Sequence, residues 1–253
     1  PVLDELELPG LCKAADKASA SSQRSFFRFK RAELSLLVVG AASGLVPTGF
    51  LGGTGPIVSI VAFLVVMVIQ LVGVVTKAES RRNDARTAAE SIKSAAWQFA
   101  VGGEAFRIDS PDVETQFKSR LTAMLGTVPK LDLPPATVSD ASITASMSQV
   151  RSMSLKRRVE IYCTLRVDDQ VSWYAAKALW NRKRGKLFTI LTLTVELLAV
   201  IFGLMRLASG LDLDLLGIFA AAGAGLIAWT QAKKYEFLAE SYAVTSHEAR
   251  MVR

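Results

Sequence analysis

The sequence predicts an all-α membrane protein: four transmembrane helices arranged as two tandem hairpins in a parallel repeat, with long helices extending into a helical cytoplasmic region. Three observations carry this. Apolar residues make up 51% of the 253-residue chain and are gathered into long blocks instead of short periodic patches. Cations flank those blocks on one side only. A unit of sequence also recurs.

The apolar blocks cover residues 32–51, 56–75, 187–207 and 215–230. A helix rising 1.5 Å per residue needs roughly 20 residues to cross the ~30 Å hydrocarbon layer. The first three blocks reach that length, and the fourth does so if residues 211–213 or Gln231 contribute. The first block lies too deep in the chain, and is too closely followed by a partner, to be a cleaved signal peptide. The chain opens on Pro1, which fits numbering that begins after a removed segment.

Orientation follows from the cations. Of 30 Lys and Arg, 6 precede the first block, 19 lie between the second and third, and 4 follow the fourth. This places both termini and the central region in the cytoplasm of a bacterial inner membrane. Only Arg206 falls in a short outer turn, beside Asp212 and Asp214. The net charge of +7 then reflects topology and anionic lipid headgroups, and nucleic acid is not an expected partner. Five segments result: a cytoplasmic amphipathic helix (1–31), a first hairpin (32–75), a cytoplasmic helical region (76–186), a second hairpin (187–230) and a C-terminal cytoplasmic helix (231–253).

Within the central region, residues 76–101 carry no breaker and continue the second membrane helix until Gly102 and Gly103 end it. Ser110 and Pro111 open another helix, with Asp112 and Glu114 in its first turn, running to about Leu125. Three prolines make residues 126–139 a loop, and residues 139–152 a short helix. From Leu155 the chain reads as helix through Lys186 into the third membrane segment.

The recurrence is a tandem duplication. "SQRSFF" (22–27) lies over "DQVSWY" (169–174), "KRAEL" (30–34) over "KRGKL" (183–187), and "AESIKSAAW" (89–97) over "AESYAVTSH" (239–247). Each unit reads amphipathic aromatic helix, cation cluster, membrane hairpin, amphipathic helix. Both copies enter and leave on one side, unlike the inverted repeats of many transporters.

Two helical faces stand out. On residues 155–186, Val159, Tyr162, Arg166, Asp169, Trp173, Ala176 and Trp180 share one stripe. Arg166 and Asp169 can pair along it, and the stripe is either a packing face against the other long helix or a subunit or sensor interface. Trp173 and Trp180 also suit the headgroup level. In the third membrane helix, Thr189, Thr192, Glu196, Ala199, Gly203 and Arg206 form a polar or small stripe around an acid near the bilayer centre. An acid there costs ~2.5–3.5 kcal/mol on insertion scales, so it faces protein or water. The stripe is either the wall of a cation pathway or a dry interhelical contact holding Glu196 protonated. Gly217, Ala221, Ala224 and Ala228 form a close-packing stripe on the fourth helix, and Gln70 is read as structural.

No catalytic, cofactor or metal constellation is legible. His247 is the only histidine, and Cys12 and Cys163 sit at no metal-ligand spacing. On the cytoplasmic side a disulfide between them is not expected. "GGTG" (52–55) lacks the lysine of a phosphate loop and reads as a hairpin turn.

"AAESIKSAAWQFAVGGEAF" (88–106) and "RVDDQVSWYAAKALWN" (166–181) resemble the bacterial SLATT domains, two-transmembrane effectors associated with nucleotide-messenger and conflict systems, here in tandem. The resemblance implies an oligomeric pore-forming or membrane-perturbing effector of stress or antiviral signalling. Its trigger would be a separate cytoplasmic sensor protein or a nucleotide messenger, since no sensing domain is visible in this chain. Together with Glu196 it leads to an expected homo-oligomeric, ion-conducting assembly in contact with membrane lipids. A non-conducting scaffold that recruits or senses a cytoplasmic partner is the alternative, and a transporter a third class.

Overall fold

The computed structural model describes residues 5–45, 54–76, 78–126, 141–209 and 215–253. The described residues are helical, with no strand among them. The expected loop at 126–139 and the first outer turn therefore fall mostly outside them, as does part of the first apolar block. Three of the described helices are long and apolar enough to cross a membrane: Gly55–Val75, Leu155–Ala208 and Leu215–Met251.

The helices are α1 (Gly10–Leu45), α2 (Gly55–Val75), α3 (Ala78–Val101), α4 (Val113–Gly126), α5 (Ala145–Arg151), α6 (Leu155–Tyr162), α7 (Asp168–Ser209), α8 (Leu215–Lys233) and α9 (Tyr235–Met251). A short 3-10 turn covers Glu104–Phe106, and a π turn, Cys163–Val167, joins α6 to α7. From Gly10 the expected N-terminal helix and the described part of the first apolar block are one helix, α1, because nothing between Gly10 and Leu45 breaks it. α2 is capped by Thr76, whose N–H bonds Val72 O, and α3 is described from Ala78; whether the second membrane helix continues into it turns on residue 77, outside the described residues.

The chain divides into two compact units. One contains the described parts of Pro1–Phe26, Lys77–Ser172 and His247–Arg253. Its core is organised on α3, whose residues Ala89, Ile92, Ala96, Phe99 and Ala100 recur at helical spacing and are all buried. Small side chains let Cys12 and Ala15 of α1 join the same core, and Lys93 meets Asp16 at 3.0 Å. At the far end Phe99, Phe106 and Phe117 form a ring cluster with centroids 4.6–6.0 Å apart. The segment before α1 is tied to α5: Thr144 Oγ1 donates to Glu7 O (2.6 Å), and Glu7 N–H donates to Ser146 Oγ (3.1 Å).

The end of α3 is built as the two glycines predict. Gly103 N–H bonds Gln98 O (2.8 Å) and Gly102 N–H bonds Phe99 O (3.2 Å), the paired bonds of a Schellman turn. Gly102 takes φ +68°, the left-handed value that turn requires. The Arg151 guanidinium then donates to Phe99 O (2.7 Å), Phe106 O (2.9 Å) and Arg107 O (2.9 Å) while lying 4.8 Å from the Phe99 ring centroid. One planar cation thus satisfies three carbonyls around a helix C-terminus, where positive charge is favoured.

Burial, reinforced by the Asp16 carboxylate and opposed by Lys93, pushes the Cys12 thiol from 9.0 up to about 11. Because the folded value lies above the ordinary one, the buried neutral thiol contributes stability that is complete below the ordinary value. That contribution is lost as pH rises through about 11. Iodoacetamide at pH 8 should therefore alkylate Cys12 at least about a hundredfold more slowly in the folded chain than in denaturant. Peptide mass spectrometry separates Cys12 from Cys163, and equal folded and denatured rates would contradict the assignment.

The second unit contains the described parts of Phe27–Thr76 and Trp173–Ser246. Here α1 and α2 pack side by side: Ser59 Oγ donates to Gly40 O (2.7 Å), and a Cβ on Gly40 would lie 3.2 Å from that of Ala62. Near the basic end, Glu33 is 8% exposed and accepts from Lys30 Nζ (3.0 Å) and Gln70 Nε2 (3.1 Å). Gln70 therefore locks α2 to α1, the structural role expected of it. In the second pair, Gly203 abuts Leu216 and the rings of Phe202 and Phe219 stack at 5.2 Å. The α8 glycines that make contacts are Gly223, against Glu196 and Val195, and Gly225, against Val38 of α1. Of the expected stripe, Gly217, Ala221 and Ala228 are half-buried and Ala224 is exposed.

Candidate functional site

The second unit contains a groove of about 580 Å³ between α7 and the α8–α9 segment. From α7 it is lined by Gly185, Thr189, Thr192, Leu193 and Glu196; from the other side Thr230, Gln231, Lys234, Tyr235 and Glu236 contribute most of its polar groups. Helical spacing explains the first wall, because residues four or seven apart on α7 stack on one face. Thr189 Oγ1 returns its proton to Gly185 O (3.1 Å), a bond that leaves the hydroxyl oxygen able to accept from the groove.

The second wall depends on a break that sequence pattern does not announce. Between α8 and α9, Lys234 takes φ +52°, a left-handed conformation unusual for a side chain with Cβ and costing roughly 1–2 kcal/mol. The chain recovers at once, with Lys234 N–H bonded to Thr230 O (2.8 Å) and Leu238 N–H to Lys234 O (2.9 Å). The expected C-terminal helix from residue 231 is therefore split: α8 carries on through Lys233, and α9 starts at Tyr235. The kink places Lys234 and Glu236, as well as Tyr235, in the groove.

Of the candidate pore-lining residues, Thr189, Thr192 and Glu196 come together here. Gly203 and Arg206 do not: Gly203 faces Leu216 further along α7, and Arg206 is exposed near the C-terminal end of the helix. Glu196 is itself exposed, on a helix whose other exposed side chains from Ile190 to Ile201 are Leu, Ile, Val and Thr194. Thr230, Gln231, Lys234 and Glu236 were not singled out in the sequence, although a cluster of polar residues closing an apolar run is the signal that could have found them.

The candidate interface residues separate into two groups. Tyr162 meets the edge of Trp97 on α3 (5.7 Å), and Arg166 lies 4.0 Å from Glu90 on the same helix, so these two residues touch α3, although Tyr162 and Val159 stay exposed. Trp173 packs on Tyr174 and Tyr242 (5.1 and 5.6 Å), and Trp180 on Tyr235 (6.1 Å), yet both indoles remain nearly half exposed. Asp169 is exposed in the first turn of α7, where a carboxylate complements the helix dipole. Lys177 and Arg184 lie over the Trp180 ring at 5.9 and 5.5 Å, giving this stretch the amphipathic character of a membrane–water boundary. Among the described residues no group of three His, Cys, Asp or Glu is placed to hold a metal ion.

Residues 9–159 match the SMODS and SLOG-associating 2TM effector domain 3, and residues 162–253 match the SMODS and SLOG-associating 2TM effector domain 1. The chain belongs to the SLATT family. Two SLATT domains stand in tandem, as the internal repeat and the quoted motifs led one to expect. No curated protein and no solved structure matches the chain. The first SLATT domain holds α1 to α5 and half of α6; the second holds α7, α8 and α9. Residues 160 and 161 lie between them, inside one helical run, and the π turn Cys163–Val167, in which Asp168 N–H bonds Cys163 O, falls within the second domain.

Proposed function

We propose that this SLATT tandem is an oligomeric, ion-conducting membrane effector whose pathway is built on the Glu196 groove. Four membrane helices per chain, as two hairpins with both termini in the bacterial cytoplasm, form the protomer. The observation that carries the reading is an exposed carboxylate within an apolar span, opening onto a groove lined by Thr189, Thr192, Thr230, Gln231 and Glu236. Facing acyl chains, Glu196 would cost ~2.5–3.5 kcal/mol. Covering the groove with a neighbouring copy, and filling it with water, removes that cost and creates a polar route from mid-membrane to the basic side. Two carboxylates against one lysine favour cations over anions. The family's description as a 2TM effector supports a role in stress or antiviral signalling, triggered by a separate cytoplasmic sensor protein or a nucleotide messenger.

The test is cation flux from liposomes containing the purified chain, compared with Glu196→Gln. The variant should keep the same assembly mass and lose about tenfold or more of the flux. Equal flux and equal cation preference in the two proteins would overturn the pathway. A second reading, a non-conducting scaffold, draws on the exposed Leu155, Val159 and Trp180 along the α6–α7 run. It is favoured instead if no flux is seen while a partner protein binds that face.

A further inference from the structure

Lys234 sits on a backbone that suits its side chain poorly. Its φ of +52° is left-handed, and helix resumes on both sides of it. A strained residue kept where glycine or asparagine would be relaxed points to a task for its side chain. Lys234 lines the groove, and among the described residues the other charged lining groups are Glu196 and Glu236. None of these three side chains forms an ion pair with a described residue. Arg182, Lys183, Arg184 and Lys186 flank Gly185 on α7 but do not line the groove.

The two carboxylates stand near opposite ends. Glu236 Cγ would lie 3.8 Å from a Cβ on Gly185, whereas Glu196 Cγ would lie 3.7 Å from one on Gly223. Gly185 and Glu196 are eleven residues apart on α7, roughly 16 Å at the helical rise. Neutral groups of Thr189, Thr192, Thr230 and Gln231 fill the interval.

We infer that the groove passes monovalent cations and that Lys234 is the residue that turns divalent ones away, an inference that rests on the ion pathway proposed above. A divalent ion such as Ca²⁺ takes about six to eight oxygens, with carboxylates among them, in one shell. Carboxylates roughly 16 Å apart cannot join one such shell. Each alone, beside hydroxyl and amide oxygens, binds a monovalent cation weakly enough to let it leave. The charge balance agrees. With both carboxylates ionised, Lys234 leaves the groove one net negative charge. A monovalent cation neutralises that charge and a divalent one overshoots it. A fixed ammonium also repels a passing ion in proportion to the ion's own charge. Without Lys234 the groove would hold two negative charges, enough to draw a divalent ion in.

The experiment measures K⁺ and Ca²⁺ flux side by side, at equal ionic strength, through the full chain in liposomes. The wild type should favour K⁺ by about tenfold or more, and Lys234→Gln should cut that ratio about tenfold. Glutamine also carries a Cβ, so the substitution removes charge and keeps the backbone strain. Lys234→Asn, which tolerates the left-handed conformation, is the second neutral variant and should behave alike. Lys234→Arg and the off-groove Lys183→Gln should both keep the wild-type ratio. An unchanged ratio in both neutral variants would overturn the role of Lys234. An equal fall in Lys183→Gln would assign the effect to diffuse surface charge and overturn it too. Equal K⁺ and Ca²⁺ flux in the wild type, still lost in Glu196→Gln, would overturn the valence selection and leave the pathway standing. No flux of either ion would overturn both.

Discussion

Gly102→Val should lower the stability of the α3-centred unit by about 3 kcal/mol, seen as a drop of roughly 10 °C in its melting transition. Two effects add. At φ +68° a β-branched residue is strained by its own backbone. Any Cβ there would also sit 2.6 Å from Ile108 Cδ1, so Ile108 must leave its place. The neighbouring glycine is the internal control. Gly103 has φ −64° and ψ 170°, and the nearest atom to a Cβ would be 3.5 Å away, so Gly103→Ala should shift the melt by less than about 0.5 kcal/mol. Trp97, 5% exposed in the same core, reports the transition by its fluorescence. Equal melts for the two variants would remove the left-handed turn from the account.

Arg151→Met should be nearly as damaging, about 3 kcal/mol, because three carbonyl oxygens lose their charged donor together. Burial, and then the like charge of Arg158, lowers the Arg151 pKa below its ordinary value, with Glu114 opposing. The guanidinium stays protonated throughout the working range, so the destabilisation should not vary between pH 6 and about pH 8. Arg151→Lys should not rescue, since an ammonium cannot span Phe99 O, Phe106 O and Arg107 O from one plane. Combined with Gly102→Val the losses should be less than additive, because both act on the same helix end. Full rescue by lysine would show that charge alone, and not the fork, holds this corner.

Some of this was legible before any coordinates. Gly102 and Gly103 marked the end of α3 because a Schellman turn needs a residue without Cβ. The run from Leu155 into the third apolar block read as one helix because nothing in it breaks helical periodicity. The Thr189, Thr192 and Glu196 wall was legible for the same reason: spacing on a helix assigns residues to a face. Spacing does not say what the face meets. Tyr162 and Arg166 turned out to meet Trp97 and Glu90, each more than sixty residues away in sequence. Arg151 reaches carbonyls 44–52 residues upstream, and no local pattern encodes such a partnership.

The sequence by itself determined the tandem SLATT organisation, the apolar lengths, the gathering of cations before, between and after the apolar blocks and the acid inside the third block, because these depend only on composition and order along the chain. Only the tertiary structure decided where that acid opens. The left-handed kink at Lys234 lies where α8 and α9 line the groove opposite α7, and the local pattern does not mark it. The three carbonyls that Arg151 gathers are likewise brought together only by folding. Each is a compromise between elements brought together by folding, and each arises where packing overrides the preference of the local segment.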